Sequence, residues 1–252
     1  MDLVLIGSGN VAAVLGRKFI AAGHHILQIV GRNASAASEL AYEWDTVSTN
    51  YLSAINRSAD VYLIAVPDDQ VKEVAKDLQL PDRVVAHTAA SVSMNVLAAV
   101  TPHHGVFYPL QSLRRDMTVI PEIPIFFQGS DALARRRLEK LAFSISGRQA
   151  KEIDEDHRSR LHVAAVTVNN FTNHLFALAE DYCRKEGLEF RHLLPLIEET
   201  ITRLRQYSPA ALQTGPAVRH DDDTVRKHLE ILNAHPRLKK IYQVFTESIR
   251  QG

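Results

Sequence analysis

The opening of the chain, Met1-Asp-Leu-Val-Leu-Ile-Gly-Ser-Gly-Asn-Val11, constrains its fold more than any other stretch. Residues 2 to 6 are dominated by branched apolar side chains, as expected of a parallel strand buried on both faces. Gly7-Ser8-Gly9 follows directly, and residues 10 to 22 read as a helix. The spacing Gly7-x-Gly9-x-x-Ala12 is the alanine-ended form of the dinucleotide fingerprint. Gly7 serves the tight turn, Gly9 opens the backbone to a pyrophosphate, and Ala12 lets the helix settle on the strand. The N–H groups and positive dipole end of that helix, with Asn10 and Val11 in its first turn, would face the phosphates. A glycine pattern alone can be a plain turn. Here a strand precedes it, a helix follows it, and residues 26 to 30 give a second strand where the unit requires one.

Past that strand comes Gly31-Arg32-Asn33-Ala34-Ser35. An acid at this place would accept from a ribose 2′-hydroxyl, whereas an arginine accommodates a 2′-phosphate. The chain has Arg32, with Ser35 as an added hydroxyl donor, and no acid until Glu39. The expected cofactor is therefore NADP, with NADPH preferred over NADH. A solvated loop arginine is the alternative.

Residues 61 to 66 form another strong strand, followed by Pro67 and a helix over 70 to 78. The Val66-Pro67 backbone is expected at the cofactor crevice, and Asp68 as the helix cap. Residues 84 to 87 give a strand that ends on His87. The stretch 88 to 93, with Ser91, then leads into a helix over 94 to 99. A strand and turn run from 103 to Gln111, and strands at 123–128 and 148–153 flank a helix over 131–143. From Asp154 the texture is helical: one long helix over 156–186 ended by Gly187, then helices at 190–206, 223–233 and 237–250. Asp221 to Asp223 look like a helix start, and His235-Pro236 separates the last two helices. The expected class is α/β. A Rossmann-type doubly wound sheet over 1–154 precedes an all-helical substrate and dimerisation domain over 155–252.

Composition narrows the partners. The 29 basic and 29 acidic residues cancel, which argues against nucleic acid. No stretch reaches the length of about 20 apolar residues that a membrane span needs. The chain enters a strand at once, so no leader is expected, and Cys183 is the single cysteine. A cytoplasmic protein acting on a small molecule is the expectation.

Five stretches together resemble a known family: Gly7-x-Gly9-Asn10-Val11-Ala12, His87-Thr88-Ala89-Ala90-Ser91, Gly105-Val106-Phe107-Tyr108-Pro109-Leu110-Gln111, Asn169-Asn170-Phe171-Thr172-Asn173-His174 and Gln213-Thr214-Gly215-Pro216-Ala217-Val218-Arg219. The chain is similar to bacterial Rossmann-like proteins whose C-terminal half is domain of unknown function 2520. The resemblance implies a fold akin to pyrroline-5-carboxylate reductase and to the 6-phosphogluconate and β-hydroxyacid dehydrogenases. It further implies a helical domain of the 6-phosphogluconate dehydrogenase C-terminal type, a nicotinamide cofactor, and a homodimer formed through that domain.

In the β-hydroxyacid dehydrogenases the interdomain helix presents a lysine and, four residues later, an asparagine. The corresponding pair here is Asn169 and Asn173, and no lysine occurs between Lys151 and Lys185. An amide cannot hand over a proton as an ammonium can, so the proton donor is open among His87, His162 and His174. Asn169, Asn173, His87 and His174 are the catalytic candidates. A polar network that fixes domains or a dimer is the other reading of the amides. Ser91, Gln111, Gln213, Thr214 and Arg219 are substrate-binding candidates, the last three able to grip a carboxylate or phosphate. Gly215-Pro216 also explains that loop as a simple turn. No metal is expected, and His103-His104 reads as a surface loop. The leading expectation is an NADP-dependent oxidoreductase moving a hydride between NADPH and a small carbonyl or imine held between the domains. A non-catalytic NADP-binding sensor or interaction module is the alternative.

Overall fold

The apolar opening becomes the centre of the sheet. In the computed structural model, which describes residues 1–251, Asp2–Ile6 forms β1, and Leu3 to Ile6 are all buried. Next come α1 (Asn10–Ala21), β2 (His25–Val30), α2 (Ala34–Glu43), β3 (Val47–Thr49), β4 (Val61–Ile64), α3 (Asp68–Lys76) and β5 (Val84–His87). They are followed by β6 (His104–Pro109), β7 (Ile125–Gly129), α4 (Ala132–Ser146), β8 (Lys151–Glu152) and α5 (Glu155–Ala165). The strands form one eight-stranded sheet in the order β3-β2-β1-β4-β5-β6-β7-β8. Every pair is parallel except β6 with β7. The first six strands thus have the doubly wound order, with the change of direction between β1 and β4.

Burial on both faces explains why the inner strands read as continuous apolar runs. On one face Leu3, Leu5, Phe107 and Phe127 pack with Leu15, Phe19, Leu40 and Leu138 of the covering helices. On the other, Val4, Ile6, Tyr62, Ile64 and Val85 pack with Ala75 and Leu97. Gly16 lets α1 approach α2's end, since a Cβ there would lie 2.2 Å from the Trp44 ring.

Several local expectations need correction. Asp68 does not cap α3: Pro67 is the N-cap, and Asp68 already stands in the first turn with its carboxylate accepting from the Ser91 amide at 3.3 Å. The stretch after Ser93 forms only a 3-10 turn, Met94–Leu97. His104 is no surface loop residue; it starts β6, buried, with Nδ1 3.0 Å from the Thr101 carbonyl. His103 pairs with Asp131 at 2.5 Å. The short β3 carries no run of apolar residues that would announce it.

The chain divides into two compact units, Met1–Val166 and the residues from Thr167 on. The sheet ends at Glu152, but α5 belongs to the first unit because Arg158 is buried against it. The expected single helix is interrupted. Val166–Phe171 is a π-helical segment, and α6 (Thr172–Lys185) resumes beyond it. The helical unit continues with α7 (Leu194–Arg203), α8 (Asp222–Ile231) and α9 (Pro236–Gln251). Gly187 ends the α6 region with φ +69°, and Asp221 caps α8 by accepting from the Thr224 amide at 3.0 Å. Its interior is small: Leu178, Cys183, Ala217, Val225 and Leu232 are buried, with Tyr182 edge-on to His235 at 4.9 Å.

Candidate functional site

A cleft of about 880 Å³ opens at the carboxyl ends of β1, β2 and β4. The Gly7-Ser8-Gly9 turn, Gly31 to Asn33, Tyr51 and Ala65 to Pro67 line it. This is the crevice at the topological switch point where doubly wound sheets take their ligands. Gly7 has φ +129°, and a Cβ on it would lie 2.2 Å from the Ala65 carbonyl oxygen, so the fold itself requires glycine there. Gly9 differs. It is the N-cap of α1 with φ −85°, which any residue adopts, and a Cβ would meet no protein atom within 4 Å. Neither backbone nor packing demands glycine at 9; the room it leaves lies in front of a helix N-terminus, which suits a pyrophosphate.

Arg32 lies on the cleft wall, exposed, and its Nη2 donates to the neutral amide oxygen of Gln70 at 2.5 Å rather than to a carboxylate. Among the described residues its charge thus has no direct counter-ion to displace. Glu73 and Asp77 also line this cleft, Glu73 already paired with Lys76 at 2.7 Å. Ser35 lies off the lining, its hydroxyl 3.3 Å from Glu39. The Asn10 side chain turns to the neighbouring loop and accepts from the Arg115 amide at 3.0 Å, while Val11 packs on the core. For these two, only the backbone at the helix start is left to serve a phosphate.

Beyond the cleft, the carboxyl ends of β5 and β6 carry a second polar group of residues. His87 is fully buried. Its Nδ1 accepts from the Ala89 amide at 3.2 Å and its Nε2 lies 3.4 Å from the Ser93 carbonyl, which fixes the Nε2–H tautomer. Burial lowers its pKa to about 4, so it is neutral with both nitrogens engaged by backbone. Arg158 reaches the same loop from α5. Its Nε donates to the Ala90 carbonyl at 2.9 Å, Nη2 to Val92 at 2.7 Å and Nη1 to the Gln128 side chain at 3.2 Å. Ser93 donates to Glu155 at 2.7 Å. Ser91 is exposed between these anchors. The Tyr108 hydroxyl, on β6, lies 3.0 Å from Nδ1 of His162, the rings edge to face. Gln111 is exposed and bonds within its own loop, to Glu122 and Ser112.

In the helical unit Asn169, Asn173 and His174 are exposed, and none of the three enters a side-chain hydrogen bond among the described residues. The π-helical turn holding Asn169 breaks the four-residue spacing that an α-helix would give Asn169 and Asn173. Gln213 donates to the Thr214 carbonyl at 2.9 Å, and Thr214 and Arg219 are exposed beside Gly215, whose φ is +109°. Among the described residues no group of three or more His, Cys, Asp or Glu is arranged to hold a metal. Among the described residues no helix is long and apolar enough to cross a membrane.

Sequence reasoning missed Tyr108 and Arg158. Each acts across a gap of more than 50 residues, for which a single sequence offers no local signal.

A doubly wound sheet with a glycine turn and a cleft at its switch point defines the class of Rossmann-type dinucleotide-binding domains. The model of the family NADP oxidoreductase coenzyme F420-dependent matches residues 2–91, and that of domain of unknown function DUF2520 matches residues 123–249. The chain belongs to the DUF2520 family, with an NADP-oxidoreductase Rossmann domain in front. It is 34% identical to a Bacteroides fragilis protein assigned as an NADP oxidoreductase, with a TM-score of 0.90 over 100% of this chain and 98% of that one. It shares its fold with pyrroline-5-carboxylate reductase from Streptococcus pyogenes (16% identity, TM-score 0.63, 100% and 99% covered). The same holds for an imine reductase from Myxococcus stipitatus in complex with NADP+ (16%, 0.66, 100% and 93%). No curated protein matches the sequence.

Proposed function

We propose that the chain is an NADP-dependent reductase that moves a hydride between NADPH and a small carbonyl or imine compound. The observation that carries this is Gly9: a glycine that neither the backbone nor the packing needs, at a helix start that shares its cleft with Arg32, whose partner among the described residues is an amide. In this reading Gly7 to Val11 hold the pyrophosphate through backbone, Val66 and Pro67 flank the cofactor, and Arg32 selects NADPH over NADH. Ser35 joins Arg32 only by leaving Glu39. A bound nicotinamide nucleotide supplies the hydride. The protein's share is binding, orientation and the placement of a proton. His87 then has a positioning role: it is neutral and holds the loop carrying Ser91.

The exposed polar groups of the helical unit, namely Asn169, Asn173, His174, Gln213, Thr214 and Arg219, make up its proposed substrate-contacting set, with Gln111 on the first unit. The proposal includes a homodimer through the helical unit, whose small interior and exposed Val168, Phe171, Leu194 and Leu196 suit a buried face. A cytoplasmic setting fits a chain whose one cysteine, Cys183, is buried and free.

The test is consumption of NADPH by purified protein with a panel of small imines and ketones, 1-pyrroline and cyclohexanone among them. Turnover of any member supports the reading. Tight binding of NADPH with every member inert points to a sensor instead.

A further inference from the structure

The reductase reading, on which this inference rests, leaves the proton unassigned. We infer that Tyr108 and His162 are its proton-delivery pair: Tyr108 gives its hydroxyl proton to the heteroatom of the group being reduced, and His162 restores that proton from solvent.

The placement comes from sheet register. Val106 pairs with His87, so Tyr108 stands two residues further toward the carboxyl end of β6. That is about 7 Å beyond the level where β5 stops, on the side where such sheets take ligands. The first half of the sheet offers the cleft between β1, β2 and β4 for one nucleotide half. The ends of β5 and β6 are what the second half offers to the other.

The chemistry comes from the surroundings. Tyr108 is buried to 7% exposure, its hydroxyl 3.0 Å from the His162 Nδ1. The charged groups acting on it are Asp68 at the start of α3 and Arg158 on α5, while Glu155 in the first turn of α5, Asp154 at its N-cap and Asp68 act on Arg158. Burial, and then the Asp68 charge, hold the phenol above its usual range, so it rests protonated and acts as a donor, not a base. Arg158 offsets the charge of a transient phenolate. His162 is only partly buried and can exchange with water. An imidazole carries two ring nitrogens, so it can take a proton at one and release it from the other.

The balance is simple. Hydride arrives at carbon, and the π pair of the C=O or C=N bond becomes a lone pair on oxygen or nitrogen. That atom takes the Tyr108 proton. The phenolate takes the Nδ1 proton of a His162 imidazolium, which is left neutral and is recharged from solvent.

The first arm of the test needs no substrate: nitrogen NMR of the histidine rings in nucleotide-free protein, wild type against Tyr108→Phe. A displaced His162 titration, with other histidines unmoved, is the expected result. An unchanged His162 midpoint overturns the pair. The second arm uses NADPH with 1-pyrroline. Wild-type kcat should fall as pH rises through the His162 midpoint. Tyr108→Phe should lower kcat about 100-fold with the KM for NADPH within about twofold, and His162→Gln should flatten the alkaline limb. A Tyr108→Phe enzyme of wild-type kcat overturns the inference. If the wild type leaves NADPH unconsumed, the failure is that of 1-pyrroline reduction, and the NMR arm by itself decides the pair.

Discussion

The Ala65 carbonyl oxygen closes on the α-carbon of Gly7 so tightly that an added Cβ would lie 2.2 Å away, whereas the same addition at Gly9 touches nothing within 4 Å. The turn that opens the chain therefore contains two glycines with separate reasons. Gly7→Ala should destabilise the fold by about 3 kcal/mol or more, from a clash with backbone plus a strained φ. Gly9→Ala should cost at most about 1 kcal/mol, the difference between glycine and alanine as an N-cap, while weakening NADPH binding. Urea denaturation beside a nucleotide titration separates them. Equal stability losses would mean that Gly9 is structural after all.

The loop after β5 should depend on Arg158. Its guanidinium satisfies the carbonyls of Ala90 and Val92, which replacement by methionine leaves unpaired. Arg158→Met should lower stability by about 2–4 kcal/mol in urea denaturation. A loss below about 0.5 kcal/mol would show that the loop holds without it.

Acid should loosen the first unit before its carboxylates protonate. The pKa of His87 is depressed to about 4 by burial, and that of His24 is lowered by burial and by the N-terminal ammonium. A depressed folded-state pKa gives stability that is full above the unfolded value, about 6.5, and is lost as pH falls toward the folded one. Unfolding free energy should thus drop between pH 6.5 and 4.5, His87 contributing up to about 3 kcal/mol by pH 4. His87→Gln should remove most of that slope. A slope unchanged by the substitution would assign it elsewhere.

These residues also show what the sequence discloses and what it hides. The β1 run, the glycine turn, β2, β4 and the helical texture after Asp154 are legible because each rests on neighbours in the chain. Asp68 misleads for a physical reason: acids at a helix start look alike whether they cap it or, as here, bind the Ser91 amide on another loop. Arg158 sits in the charged stretch Glu-Asp-His-Arg-Ser-Arg and reads as solvent-facing, yet it is 1% exposed because partners 66 and 68 residues away envelop it. The π-helical turn at Val166–Phe171 likewise leaves no mark in an apolar pattern that continues through it.

The helical unit should be buried in a homodimer. Phe171 is 59% and Leu196 67% exposed, too much apolar surface for a unit with so few interior residues. Analytical ultracentrifugation should give a dimer, and Phe171→Glu should raise its dissociation constant about 30-fold or more. A monomeric wild type at micromolar concentration would contradict this.

The cleft between β1, β2 and β4 should bind NADPH with Arg32 on its 2′-phosphate. The most direct measurement is a fluorescence titration of wild type and Arg32→Asp with NADPH and NADH. NADPH should bind the wild type more tightly than NADH does, and the substitution should weaken NADPH by about tenfold or more while sparing NADH. Equal affinity for both nucleotides in both proteins, or no binding at all, would contradict it.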